Sequence, residues 1–254
     1  MASKYQKLLS KHVLIIGGTS GIGFSVAEAA LASGASVTVS SSTTARVDKA
    51  IASLKESFSP DKVSGYVCDL SKPSLEQDIE DLFSKVGNVD HIVFSAGDRL
   101  ANLPLAEISL DKIIAAGQVR FFAPLLVAKV GSRYLSAGPE SSIILTTGLV
   151  SEHPNPNWSV IASYAAGLHG MTRNLALDLK PIRVNCVSPG LVDTNLWRHL
   201  PSEARDANLR SAAAKLPTGR IGKPEDVAEA YLWLLKDPNV TGSVVSDNSG
   251  ALLV

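Results

Sequence analysis

The chain has 254 residues, 45% of them hydrophobic, which is enough to bury a sizeable core in one α/β domain. Lys and Arg total 24 and so do Asp and Glu, so the formal net charge is zero and there is no basic field to attract nucleic acid or an anionic membrane. No stretch approaches the roughly 20 apolar residues of a membrane span, and the Val13–Ile16 run behind the N-terminal lysines is too short for a secretory signal, so a cytosolic protein is expected.

Short Val/Ile-rich runs alternate with segments of helical period. In chain order the pattern predicts strands at His12–Ile16, Ser36–Ser40, Val63–Val67, His91–Phe94, Ser142–Thr146, Arg183–Val187 and Ser243–Ser246. Between them it predicts helices at Ile22–Ala32, Ala45–Phe58, Ser74–Lys85, Leu110–Arg133, Ser159–Leu179, Thr194–Lys215 and Pro224–Lys236. Continuously apolar strands separated by helices imply a parallel sheet covered on both faces. The expected fold is a single-domain, three-layer Rossmann fold over 1–254, with one doubly wound, seven-stranded, mostly parallel sheet. Cys68 and Cys186 lie far apart and show no metal-ligand spacing, so both read as small buried residues of a reduced compartment. No metal site is expected.

The first strand runs into Ile16-Gly-Gly-Thr-Ser-Gly-Ile-Gly23, followed by an Ala-rich helix. Glycines there let backbone N–H groups approach a pyrophosphate, and the helix N-terminus adds positive potential. Gly17, Thr19, Ser20, Gly21, Ile22 and Gly23 are therefore candidate dinucleotide contacts. Strand two ends in Val39-Ser-Ser-Ser-Thr-Thr44, with no carboxylate to hold a ribose diol or repel a 2′-phosphate. Ser41, Ser42 and Thr43, with Arg46 nearby, favour NADP(H) over NAD(H). The alternative is a solvated hydroxyl loop with Arg46 on the surface.

The spacing Gly17-x-x-x-Gly21-x-Gly23 resembles the short-chain dehydrogenase/reductase (SDR) family, and the resemblance covers nearly the whole chain. Cys68-Asp-Leu70 resembles its adenine-contacting segment, implying roles for Asp69 and Leu70. Phe94-Ser-Ala-Gly97 resembles its Asn-Asn-Ala-Gly motif, implying contacts from Ser95, Ala96 and Gly97. Ile182–Gly190 with Val192 and Thr194 resembles the segment that cups the nicotinamide, implying Pro189, Gly190, Val192 and Thr194. The resemblance also implies a mobile substrate-covering segment at about 194–215 and a homodimer or homotetramer joined through Ser159–Leu179, which is rich in small residues.

The family's catalytic positions are vacant. Aligned through Gly170–Asp178, its Tyr falls on Ile161, its Lys on Ala165, its Ser on Gly148 and its Asn near Gly117 or Gln118. Tyr164 lies one turn past Ile161 and is weighed as an unusual acid. The loop His153–Trp158 and the helix around Val119–Pro124 resemble a fungal SDR subgroup that includes reductase/Diels–Alderases of indole-alkaloid assembly. That resemblance implies an Arg on this helix, met by Arg120, and an Asp in the loop, where Asn155 or Asn157 stands instead. Arg120 reads either as a cleft residue binding a substrate carbonyl or as a snorkelling or interface cation. Thr147 is a candidate substitute for the orienting Ser. Trp158, Trp197 and Leu191 are candidate walls for a hydrophobic small-molecule substrate, with core or interface packing as the other reading of the tryptophans. His153 is the loop's titratable residue. Three functions remain open: NADPH-dependent reduction of an imine or iminium, the cationic iminium needing no proton donor; an NADP-bound cyclase or isomerase; and a dinucleotide-binding protein without turnover.

Overall fold

The computed structural model describes residues 2–197 and 201–254. Among these the strands are β1 (His12–Ile16), β2 (Ser36–Ser41), β3 (Val63–Val67), β4 (His91–Phe94), β5 (Ser142–Thr146), β6 (Arg183–Pro189) and β7 (Val244–Asp247). They form one sheet in the order β3-β2-β1-β4-β5-β6-β7, with every pairing parallel. The order reverses between β1 and β4, so a crevice opens beyond their C-terminal ends.

Continuous apolar strands need cover on both faces, and two separate cores supply it. On one face α1 (Gly21–Ala32), α2 (Thr44–Ser57) and α8 (Pro224–Lys236) bury Val26, Leu54, Tyr231 and Leu234 against Val13, Ile15 and Val39. On the other, α3 (Leu75–Val86), α5 (Ala123–Gly131) and α6 (Ser159–Asp178) bury Phe83, Val127 and Leu168 against Leu14, Ile92 and Ile143. Arg183 is buried at the base of β6. Its Nη1 donates to the Leu234 carbonyl at 2.7 Å and its Nη2 to Leu235 at 3.2 Å, so a cation caps the negative end of α8.

Two long helices expected from the periodicity are broken. The stretch Leu110–Arg133 divides into α4 (Leu110–Gly117), a π turn (Gln118–Phe122) and α5, with a 3-10 turn at Ser132–Tyr134. Pro124 is the physical reason: it has no N–H to give the Arg120 carbonyl, and the Ala123 N–H reaches back to Gln118 instead, widening the turn. By length and composition Leu110–Tyr134 is long and apolar enough to cross a membrane, which corrects the expectation that no segment comes near that. Here Val119, Ala123, Val127, Ala128 and Val130 are buried in the core beside the sheet. The expected helix Thr194–Lys215 is likewise shorter. A 3-10 turn covers Asn195–Trp197, and α7 (Ser202–Ala213) starts from Pro201 as its N-cap, while positions 198–200 of the expected helix lie outside the described residues.

Candidate functional site: a dinucleotide crevice with an apolar corner

A crevice of about 1410 Å³ runs along the C-terminal ends of the strands. At its centre β1 turns sharply into α1. Gly17 sits at φ +92, and a Cβ there would lie 2.4 Å from the Ala96 nitrogen. A Cβ on Gly23 would lie 2.3 Å from Ser95 Oγ and 2.4 Å from the Gly17 carbonyl oxygen. The turn therefore accepts no side chain at either position, and bare backbone with the first turn of α1 faces the crevice. Ser20 caps α1 without a side-chain capping bond, which leaves its hydroxyl available. Thr19, Ser20, Gly21 and Ile22 line this wall.

On one flank Ser40, Ser41, Ser42, Arg46 and Lys49 line the crevice. The Ser40 hydroxyl is buried and has no protein partner, as expected of a group that waits for a ligand. Arg46 Nη1 donates to Ser42 Oγ at 3.3 Å. Thr43 departs from expectation. It caps α2 by accepting from the Arg46 N–H at 3.4 Å and is absent from the lining. Lys49 was missed, although it follows Arg46 by three residues and so shares its helix face. Asp69 and Leu70 lie beyond β3. Asp69 Oδ1 accepts from the Ser71 hydroxyl at 2.7 Å and from its N–H at 3.1 Å, and these bonds hold the carboxyl below its usual range. Ser95, Ala96 and Gly97 follow β4, Pro189 ends β6, and Gly190, Leu191, Val192 and Thr194 follow it. Gly190 passes so close to Asn248 that a Cβ would meet its Cα at 2.7 Å. The glycine cradle, the orphaned Ser40 hydroxyl and the cations at the end of β2 fit a phosphorylated dinucleotide.

The corner beyond this crevice is apolar. Ile161 and Ala165 of α6 are buried and carry no proton donor, and Gly148 follows β5 with open space where a side chain would stand. Thr147 lines the crevice, but its hydroxyl donates to the Ala165 carbonyl at 2.7 Å. Its proton is committed to the helix, so it does not replace a carbonyl-orienting serine. Thr146 Oγ1 donates to the Phe94 carbonyl and meets the Tyr231 hydroxyl, both at 2.6 Å, below the floor. Tyr164 donates to the Ile113 carbonyl at 2.9 Å, and burial raises its pKa. Both facts disfavour an acid. Gln118, at the expected Asn position, turns away and donates to the carbonyls of Leu70 and Lys72 at 3.1 and 2.9 Å.

Arg120 projects from the π turn into the crevice. Its Nε donates to Asp98 Oδ1 at 2.9 Å and its Nη2 donates to the Asp98 carbonyl, while the guanidinium lies against Gly97. Burial lowers its pKa and Asp98 opposes that shift, so it remains a cation. Asp98 was also missed. The legible signal was its place: it directly follows Phe94–Gly97, and the loop after β4 opens onto the switch point. Asn155, Trp158 and His153 line the rim, joined by Leu100, Leu149 and Val150. Trp197 ends the 3-10 turn, but its side chain lies outside the described residues. The described residues contain no cluster of metal-binding side chains. Cys68 and Cys186 are buried free thiols, pushed up to about 11 and about 12 by burial.

The model of the SDR-like Rossmann domain matches residues 4–254. The chain belongs to the short-chain dehydrogenase/reductase family. It is 46% identical over 255 residues to the short-chain dehydrogenase/reductase fsr5 of Gibberella fujikuroi, covering 97% of this chain and 96% of that one. It is 42% identical over 255 residues to malC of Malbranchea aurantiaca, with the same coverage. The solved structure of that organism's MalC reductase/Diels–Alderase superposes with a TM-score of 0.92 at 41% identity, over 99% of this chain and 100% of that one. A small-chain dehydrogenase solved in complex with NADPH matches with a TM-score of 0.80 at 28% identity, over 96% and 100%. As an SDR protein with reductase relatives, the chain is an oxidoreductase by family. Gly148, Ile161 and Ala165, the positions where the sequence pattern expected the family's Ser, Tyr and Lys, all line the crevice.

Proposed function

We propose that this SDR protein is an NADP(H)-dependent oxidoreductase of secondary metabolism that reduces an imine or iminium in a hydrophobic substrate without the Tyr/Lys relay. The observation that carries this reading is the built dinucleotide crevice ending in an apolar, donor-free corner. The relative in complex with NADPH supports the cofactor, as do Ser41, Ser42, Arg46 and Lys49. When bound, the dinucleotide supplies a hydride. A ketone that accepts hydride leaves an alkoxide, and the general acid that protonates it typically contributes about 10²–10⁴-fold. Beside Gly148, Ile161 and Ala165 the corner offers no such acid, since Thr147 and Tyr164 both donate to helix carbonyls and His153 stands at the rim. A cationic C=N group becomes a neutral amine on accepting hydride and needs no proton. Asp98 occupies two edges of the Arg120 guanidinium, and the remaining N–H groups can orient a substrate carbonyl. Trp158, Leu149, Val150 and Leu191 give apolar walls, and Asn155 offers an amide at the rim.

A second reading, an NADP-bound cyclase, is favoured by the 41% identical reductase/Diels–Alderase and by the width of the crevice. A third, dinucleotide binding without turnover, is favoured by the vacant relay alone. We further infer a cytosolic homodimer or homotetramer. Leu110, Ile114 and Leu125 are exposed at 70%, 48% and 45% on α4 and α5, and Ala166 and Gly170 of α6 are exposed small residues.

The deciding experiment mixes the protein with NADPH and a panel of ketones, imines and iminium ions and follows absorbance of the reduced nicotinamide. Oxidation with iminium but not ketone substrates is expected. Turnover of simple ketones would sink the absence of a relay. Tight NADPH binding with no oxidation would move the weight to the other two readings.

A further inference from the structure

Tyr164 straddles the junction of α4 with the π turn. Its hydroxyl holds the Ile113 carbonyl of α4 at 2.9 Å. Its ring lies 5.0 Å from Phe121 and 5.9 Å from Phe122, both in the π turn. Between these anchors sits Gly117, where a Cβ would come within 2.6 Å of Tyr164 Cζ and 2.8 Å of its oxygen. A phenol wedged between two phenyl rings cannot swing aside as the end of a flexible chain would, so a glycine is what gives it room.

We propose that Tyr164, seated in the space left open at Gly117, is a positioning residue that holds the π turn in the register that turns Arg120 into the crevice. The proposal rests on the role given to Arg120 above. Successive helical residues are rotated by about 100°, so a one-residue slip of this turn would swing Arg120 away from Asp98. Pro124 bars the ordinary helical register on the C-terminal side, because it has no N–H for the Arg120 carbonyl. Gln118 ties the start of the turn to the carbonyls of Leu70 and Lys72. Tyr164 is the contact that spans both helical pieces. A π turn with a functional side chain at its crest, braced by a tyrosine that itself reaches the crevice wall, assigns that tyrosine a task in a chain whose usual relay position holds Ile161.

The test uses the full chain with NADP⁺ added and phenylglyoxal as a probe of guanidinium reactivity. Adduct formation at Arg120 is followed by peptide mass spectrometry against the exposed Arg210. Tyr164→Leu is expected to raise the Arg120 adduct rate about tenfold while Arg210 and NADPH affinity stay within about twofold, and to lower kcat on an iminium probe about tenfold to a hundredfold. Tyr164→Phe keeps the ring and is expected to change each by about threefold or less. Gly117→Ala, which displaces the ring, should behave like Tyr164→Leu, and the double variant should be no worse than either single one, because the two residues touch. A folded Tyr164→Leu whose Arg120 reacts at the wild-type rate overturns the proposal. So does a Tyr164→Phe that loses turnover with its adduct rate unchanged, since the phenol would then be the acid. If Tyr164→Leu does not fold, Tyr164→Phe and Gly117→Ala carry the comparison. The adduct rate needs no substrate, so a wild-type protein inert toward iminium ions would sink the proposed function and leave this inference readable.

Discussion

Arg46 and Lys49 face the crevice from α2 at the point where Ser41 and Ser42 close the end of β2. No carboxylate stands there, so a 2′-phosphate would meet two cations and two hydroxyls. Arg46→Ala and Lys49→Ala should each raise the Kd for NADPH about tenfold and leave that for NADH within about twofold, as charge-assisted bonds to phosphate imply. Titration calorimetry with both nucleotides checks this, and an equal loss for both would refute a phosphate subsite. At this scale the sequence was legible in part. The glycines of the turn and the serines after β2 declare themselves, because their chemistry depends on backbone geometry that a motif encodes. Thr43 looked the same as its neighbours and was spent on a helix cap. Asp98 and Lys49 carried no motif of their own.

His91, at the start of β4, is buried, with its Nδ1 2.9 Å from Ser142 Oγ on the neighbouring strand. Burial, and then the nearby Arg183, push its pKa down to about 3, with Asp90 opposing and Lys11 adding to the effect. The unfolded chain therefore binds a proton that the folded chain refuses. Stability from this group is complete above its ordinary value of 6.5 and is lost as pH falls from there toward about 3. Urea midpoints should drop between pH 7 and pH 4.5 by more in the wild type than in His91→Gln. Equal slopes would show that His91 does not titrate across folding. Elements as such were well predicted, since strand and helix periods differ and each follows from local pattern. Of the two misjudged helices, one failed because Pro124 interrupts a run whose periodicity continues through it, and the other starts only at Ser202, with Pro201 as its N-cap.

At the scale of the molecule, the proposed assembly would bury a face carrying the exposed Leu110, Ile114 and Leu125. Leu110→Asp with Ile114→Asp should shift the protein toward monomer in light scattering coupled to size exclusion, with NADPH affinity within about twofold, because the face lies outside the crevice lining. An unchanged assembly would place the interface elsewhere.

The sequence by itself determined the sheet, its parallel direction and the dinucleotide turn. Each of these is written in local pattern or in residue identity at a motif position. Only the tertiary structure decided which partners the polar side chains of the crevice take. Arg120 meets Asp98 across 22 positions of chain, Thr147 gives its proton to Ala165, and Tyr164 fills the space at Gly117. Those outcomes depend on how a loop, a strand end and two helices approach one another. A hydroxyl or a guanidinium takes whichever partner that approach brings within about 3 Å, and no spacing along the chain records it.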